Sequence, residues 1–307
     1  MTAVFLQLGV MLLAGIGYRG IPGALPAADI RRVISSIVLN IFIPLLTFGV
    51  MSSTPIEQDL LAVPIVSIAS CLIGLTLGWL VYGVLLRGRL SPPAIGSLII
   101  ASAWCNAMYM GLPITTAAVG EHIDHVPILF DYLGMTPLLF TIGAMISARY
   151  GTTQQAPSFR RGVQQIATMP PTIAILLGLG CNLAGLEPPT WAIAACEGAG
   201  RAIAPLMIFS IGLTLRPPTI ATIPMLLPAT LTRIIVVPIC ILPLADMLIV
   251  DSDVHSAVML ESAMPTMMLT MVFAERFGLD ESTLAQAILL STIVSVVTLP
   301  QLLLWIR

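Results

Sequence analysis

Along most of the chain, apolar residues run for about 20 positions at a time, the length a helix needs to cross a bilayer. These runs fall at 3–19, 33–51, 62–86, 93–119, 126–148, 165–185, 190–215, 221–245, 254–275 and 283–306. Short polar stretches separate them. The pattern predicts an all-α integral membrane fold of ten transmembrane helices, with one half at 1–148, a polar linker at 149–164 and a second half at 165–307.

One run departs from the pattern. "CNAMYMGLP", Cys105–Pro113, sets an asparagine, a glycine and a proline in the middle of the fourth span. Proline removes a backbone donor and collides with the preceding turn, and glycine costs about 1 kcal/mol against alanine in a helix. Span four is therefore expected to break between Asn106 and Pro113, and span nine around Pro265.

Composition removes the soluble alternative. The 307 residues are 57% hydrophobic and 9% charged, where soluble domains carry about 25% charge. All thirteen basic residues are arginine. Arg19, Arg31 and Arg32 follow span one, Arg87 and Arg89 span three, and Arg149, Arg160 and Arg161 span five; Arg216 follows span seven and Arg276 span nine. The alternate loops hold Glu57, Asp59, Glu121, Asp124, Glu187, Asp246, Asp251 and Asp253 but no arginine. Cytoplasmic loops are the arginine-rich ones, so both termini are expected outside. Arg19 comes after the first apolar stretch rather than before it, which reads as a retained span and not as a signal peptide. Cys71, Cys105, Cys181, Cys196 and Cys240 all sit in apolar runs and suggest neither a metal site nor disulfides. The histidines of "EHIDHVP" form no metal motif, so no metal is expected.

The two halves repeat weakly. "NIFIPLLTFG" (Asn40–Gly49) and "RAIAPLMIFS" (Arg201–Ser210) share a polar residue, then Pro-Leu, then phenylalanine; "NAMY" and "SAMP" are similarly placed in spans four and nine. Five spans per half is an odd number, so the second half must be inverted relative to the first. Paired broken helices in inverted repeats point to the binding site of a secondary transporter. Helix N-termini carry positive partial charge and unpaired N–H groups, which suit a small anion held at mid-membrane.

Five stretches, "LNIFIPLLTFG", "CNAMYMGLPITTAAVG", "PPTIAILLGLG", "APLMIFSIGLTL" and "AQAILLSTIVSVVTLP", spread over nearly the whole chain. By them the sequence resembles the auxin efflux carrier family, which includes bacterial permeases for malate and malonate. The resemblance implies a ten-span fold like that of the bile-acid sodium symporters. It further implies a dimerising scaffold from spans one, two, six and seven, and a transport domain from spans three to five and eight to ten that moves against it as an elevator. The family's carboxylate-contacting asparagine matches Asn106, and its crossover prolines match Pro113 and Pro265. The short central linker fits a bacterial protein of the inner membrane.

Polar residues inside spans are functional candidates, because each is costly to bury. Glu261 lies one turn before Pro265 and is a candidate for coupling to H+ or Na+, against a purely structural carboxylate. Arg233 either faces the cavity and attracts an anion or pairs with Asp131, which is in turn a proton site or only a partner. Glu197 and Arg201, four apart, read as a structural pair, and Asn40 as a kink stabiliser. Tyr109, Gly111 and Ser262 are placed to line the pocket. The function expected is secondary transport of small carboxylates, with no cofactor and no nucleic acid; the alternative is a channel or sensor that does not cycle. An intramembrane enzyme would need an "HExxH" motif or a nucleophile–base pair, and ATP drive a Gly-rich phosphate loop; neither occurs.

Overall fold

The computed structural model describes residues 2–54, 59–153, 159–214 and 221–306. Glu57 and Arg216, two of the loop charges used above, and the middle of the central linker lie outside the described residues.

The described residues form helices joined by short turns, with no β-strand among them. In chain order they are α1 (Thr2–Tyr18), α2 (Ala27–Ser53) and α3 (Leu61–Leu85), then α4 (Pro92–Ala103) and α5 (Leu112–Ala118). Next come α6 (Glu121–Tyr150), α7 (Phe159–Thr168), α8 (Pro170–Leu183) and α9 (Thr190–Thr214). The chain ends with α10 (Ile223–Leu248), α11 (Ser252–Ser262), α12 (Thr270–Phe277) and α13 (Glu281–Ile306).

Among the described residues six helices, α2, α3, α6, α9, α10 and α13, are long and apolar enough to cross a membrane. The pair α7 and α8, bent by 59°, makes a seventh if it is one span. The bend has a local cause: Pro170 and Pro171 follow Met169 and push it to extended backbone at ψ 133°. The segments expected as spans four and nine are each split into short helices, α4 with α5 and α11 with α12, so none of these reaches spanning length alone.

Prolines elsewhere do not break helices, and the reason is visible in the backbone. Wide π turns at Val38–Phe42, Ala107–Gly111, Phe130–Met135 and Thr232–Val236 each end two residues before a proline, namely Pro44, Pro113, Pro137 and Pro238. A proline has no N–H to donate to the carbonyl four residues back, and widening the turn gives that carbonyl the next donor along the chain.

The chain forms two compact units. One comprises Met1–Ile56, Met108–Ile128 and Ile166–Leu215. Within it α1 and α9 touch backbone to backbone: a Cβ on Gly15 would lie 2.2 Å from the Phe209 carbonyl oxygen, and one on Gly212 2.3 Å from that of Leu12. Asn182 on α8 donates to the Met51 and Thr54 carbonyls at 3.1 and 2.6 Å, satisfying the C-terminal end of α2.

The second unit comprises Glu57–Ala107, Leu129–Gln165 and Arg216–Arg307. Its proline-rich helix α10 is repaired by a side chain. The buried Tyr82 hydroxyl donates to Met225 O at 2.9 Å and accepts from Ala229 N at 2.8 Å, standing between two backbone groups one turn apart. Helix α3 presses against the end of α4 through small residues. A Cβ on Gly74 would lie 2.4 Å from the Ser102 carbonyl oxygen, and one on Gly78 2.7 Å from the Ser102 side chain.

Gly74→Leu is expected to destabilise the protein by at least about 1–3 kcal/mol, because its obstacle is backbone that cannot turn away. Gly9→Leu, where a Cβ meets nothing within 4 Å, is expected to leave stability unchanged. Thermal unfolding in detergent checks the pair, and equal losses would refute the packing argument.

Candidate functional site

The break in the fourth segment falls at Trp104–Asn106, upstream of its expected place. Helix α4 ends at Ala103, and Ala107–Gly111 is already helical and runs directly into α5. Gly111 and Pro113 therefore lie within the resumed helix rather than at the break. Asparagine is favoured where a helix begins, because its side chain competes for backbone bonds, and Asn106 stands at that point. In the ninth segment the break runs from Ala263 to Leu269, around Pro265 as expected.

In the second unit the two breaks are tied to each other. Asn106 N donates to Pro265 O at 2.7 Å, and Met267 N donates to Trp104 O at 2.9 Å. Cys105 and Thr266 thus form an isolated antiparallel bridge. Thr266 adds two bonds, its N–H to Ser291 Oγ at 3.1 Å and its hydroxyl to Ala101 O at 2.8 Å. Backbone freed from a helix must be satisfied by protein at membrane depth, and here each break satisfies the other.

Both α4 and α11 enter this junction by their C-terminal ends, where carbonyls are orphaned and partial charge is negative. Arg233, fully buried on α10, lies against both ends. Its guanidinium donates to Ala103 O at 2.9 Å, to Ser262 O, and to Ser70 Oγ at 3.2 Å. The carbonyls are those of the last residues of α4 and α11. Two helix C-termini carry about −0.5 charge each, so together they balance one guanidinium. These bonds take the place of pairing with Asp131, one of the two alternatives that the sequence left open for Arg233. That carboxylate is buried and accepts from the Thr136 hydroxyl at 2.9 Å.

Asn106, Glu261, Ser262 and Pro265 are all buried at the junction, with Ser262 Oγ donating back to Met259 O at 2.8 Å. Asn106 is 2% exposed and stands where the helix resumes.

The remaining candidates fall in or beside the first unit. A cavity of about 750 Å³ there is lined by Pro113, Thr116, Glu121, Asp124, Glu197 and Arg201, with apolar residues of α2 and α9. Asp124 accepts from Thr116 at 2.5 Å, and Arg201 stands 3.6 Å from Glu197 in an exposed pair. Three carboxylates against one guanidinium leave this cavity acidic. Asn40 donates to Ser36 O at 2.8 Å within the π turn before Pro44. Tyr109, half-buried, lies on the turn that opens the resumed helix.

Sequence reasoning missed Ser70, Thr266, Ser291 and Asn182. Each is a small polar residue in an apolar run, a type too common in membrane helices to stand out.

Comparison with known proteins gives the chain's family. The family described as membrane transport protein matches residues 3–303. The chain is 30% identical over 305 residues to an uncharacterised transporter of Methanothermobacter thermautotrophicus, covering 95% of each. It is 23% identical over 297 residues to an uncharacterised transporter of Methanocaldococcus jannaschii, covering 94% of each. It is also 26% identical over 284 residues to a Rhizobium meliloti protein whose name proposes it as a malonate transporter, covering 89% of this chain and 86% of that one. These relationships indicate transport rather than catalysis. A helical, multi-pass chain matched from residue 3 to residue 303 belongs to the membrane transport protein family, the auxin efflux carriers that its sequence resembles.

Proposed function

We propose that the protein is a secondary transporter of small organic anions, holding a carboxylate at the junction of the fourth and ninth segments and cycling by alternating access. One observation carries the reading. Arg233 neutralises the two C-terminal helix ends, and Asn106 is buried beside them where the fourth segment resumes as helix. That leaves N-terminal helix ends and Asn106 as the groups offered to an anion. With the Arg233 guanidinium already committed to carbonyls, the anion is bound through backbone and the Asn106 amide, with Ser262 beside them.

The wider scheme is ten spans in two inverted repeats with both termini outside the cell membrane, a dimerising scaffold and a moving transport domain. The pairing of the two breaks supports the repeat. The grouping of α1, α2, α8 and α9 in one compact unit and of α3, α4 and α10–α13 in the other supports part of the division into scaffold and transport domain. Met108–Ile128, which the scheme gives to the transport domain, falls in the first unit. Malonate is the first substrate to try, on the strength of the Rhizobium meliloti relative's name. Glu261, buried one residue before the capped end of α11, is the proposed site of H+ or Na+ coupling.

Three measurements test this in liposomes holding the purified protein. Asn106→Ala is expected to weaken carboxylate binding by roughly tenfold to a hundredfold, the loss of one bond to a charged group. Unchanged affinity rules the site out. Glu261→Gln is expected to abolish the dependence of flux on pH or sodium, and a retained dependence removes it from coupling. Arg233→Met is expected to cost about 3–5 kcal/mol of stability, since it leaves buried carbonyls unpaired. Arg233→Lys is expected to keep part of that stability. Flux by Arg233→Met at the parent rate would contradict the electrostatic assignment.

A further inference from the structure

A second cavity, of about 1470 Å³, lies in the second unit and plays no part in the proposed transport site. It forms where three apolar helices end together: α3 closes at Leu85, α4 opens at Pro92 and α6 closes at Tyr150. Its walls are apolar, with Val84, Ile95, Ile142, Met145 and Ile146, and its rim carries Arg87, Arg149, Trp79 and Tyr150.

The charge is one-sided. No acidic side chain among the described residues lines the cavity. Among the described residues neither Arg87 nor Arg149 forms an ion pair. Arg149 holds its guanidinium 6.0 Å from the centre of the Tyr150 ring, a contact that attracts the cation but supplies no counter-charge. Arg87 is held by a tight turn to Leu90 in which Gly88 takes φ +88°, a conformation that favours glycine. The apolar surface is equally unattended, with Trp79 51% and Met145 54% exposed. Gly83 is what brings the two rim aromatics together: a Cβ there would meet Trp79 at 2.8 Å and the Tyr150 hydroxyl at 3.2 Å.

We propose that this cavity is a binding site for an anionic phospholipid of the surrounding bilayer. The phosphate lies between Arg87 and Arg149, the rim aromatics sit at headgroup level, and an acyl chain fills the apolar floor. Each feature answers one part of such a molecule. Paired cations at the end of apolar helices attract an anionic headgroup, and tryptophan and tyrosine favour the membrane–water boundary. A floor of branched aliphatic side chains and methionine matches hydrocarbon. A soluble phosphate ester would use the arginines and leave the floor uncovered. The arginine-rich face on which the cavity opens is the one the sequence assigns to the cytoplasm.

The test is native mass spectrometry of the full-length protein, released from detergent with phosphatidylglycerol or phosphatidylcholine added in equal amounts. The parent is expected to retain phosphatidylglycerol preferentially. Arg87→Gln with Arg149→Gln is expected to lower that retention about tenfold or more, at roughly fivefold per basic residue. The matching double change to lysine, which preserves both charges, is expected to keep the preference. Met145→Trp, which fills the floor without altering charge, is expected to reduce retention as well. Equal retention of both lipids by the parent, or undiminished phosphatidylglycerol on the double glutamine variant, overturns the proposal. So does competition by inorganic phosphate at millimolar concentration, which would identify a headgroup-only anion site.

Discussion

The site depends on one buried guanidinium set against two helix ends that would otherwise repel each other. Helices α4 and α11 bring the orphaned carbonyls of Ala103 and Ser262 to the same place. Each end is electronegative and neither can reach water. Arg233 answers both at once, and about −1 of summed partial charge meets one positive side chain. A buried arginine is ordinarily expensive because its desolvation is not recovered. Here the recovery is built into the fold.

From that neutralisation the rest follows in order. With their C-terminal ends satisfied, α4 and α11 can stop inside the apolar layer, and the residues between the half-helices become free to bridge. Asn106 and Met267 donate across the gap, and Thr266 ties the bridge to α4 and α13. Gly74 and Gly78 let α3 lie flat against the end of α4, where Ser70 supplies the guanidinium's third acceptor. The junction is therefore a braced structure whose polar groups are largely spent on each other.

Much of this was legible in the sequence, and the limits have physical causes. Apolar run length exposed the helical membrane class, and the asparagine, glycine and proline of the fourth segment exposed a break. The break was misplaced by several residues because glycine and proline were taken to interrupt the helix. A π turn instead passes the lost bond forward, as it does before Pro44, Pro137 and Pro238. No run-length or propensity rule anticipates that choice. Arg233 stood out as a costly residue, but its partners did not, since backbone carbonyls carry no sequence signature. Asp131 was one of two alternatives for it, offered only because opposite charges invite pairing. Ser70, Thr266 and Ser291 were invisible for the same reason: their contribution lies in which backbone group they reach.

The measurement that bears most directly on the account is hydrogen exchange of the purified protein, resolved to the peptides containing Asn106 and Met267. If the two breaks are joined as described, both amides exchange as slowly as the interiors of the long helices, although neither lies in a regular α-helix. If they exchange as fast as the surface turns around Gly88 or Gly185, the bridge between the broken segments does not exist in the membrane protein, and the site built on it falls.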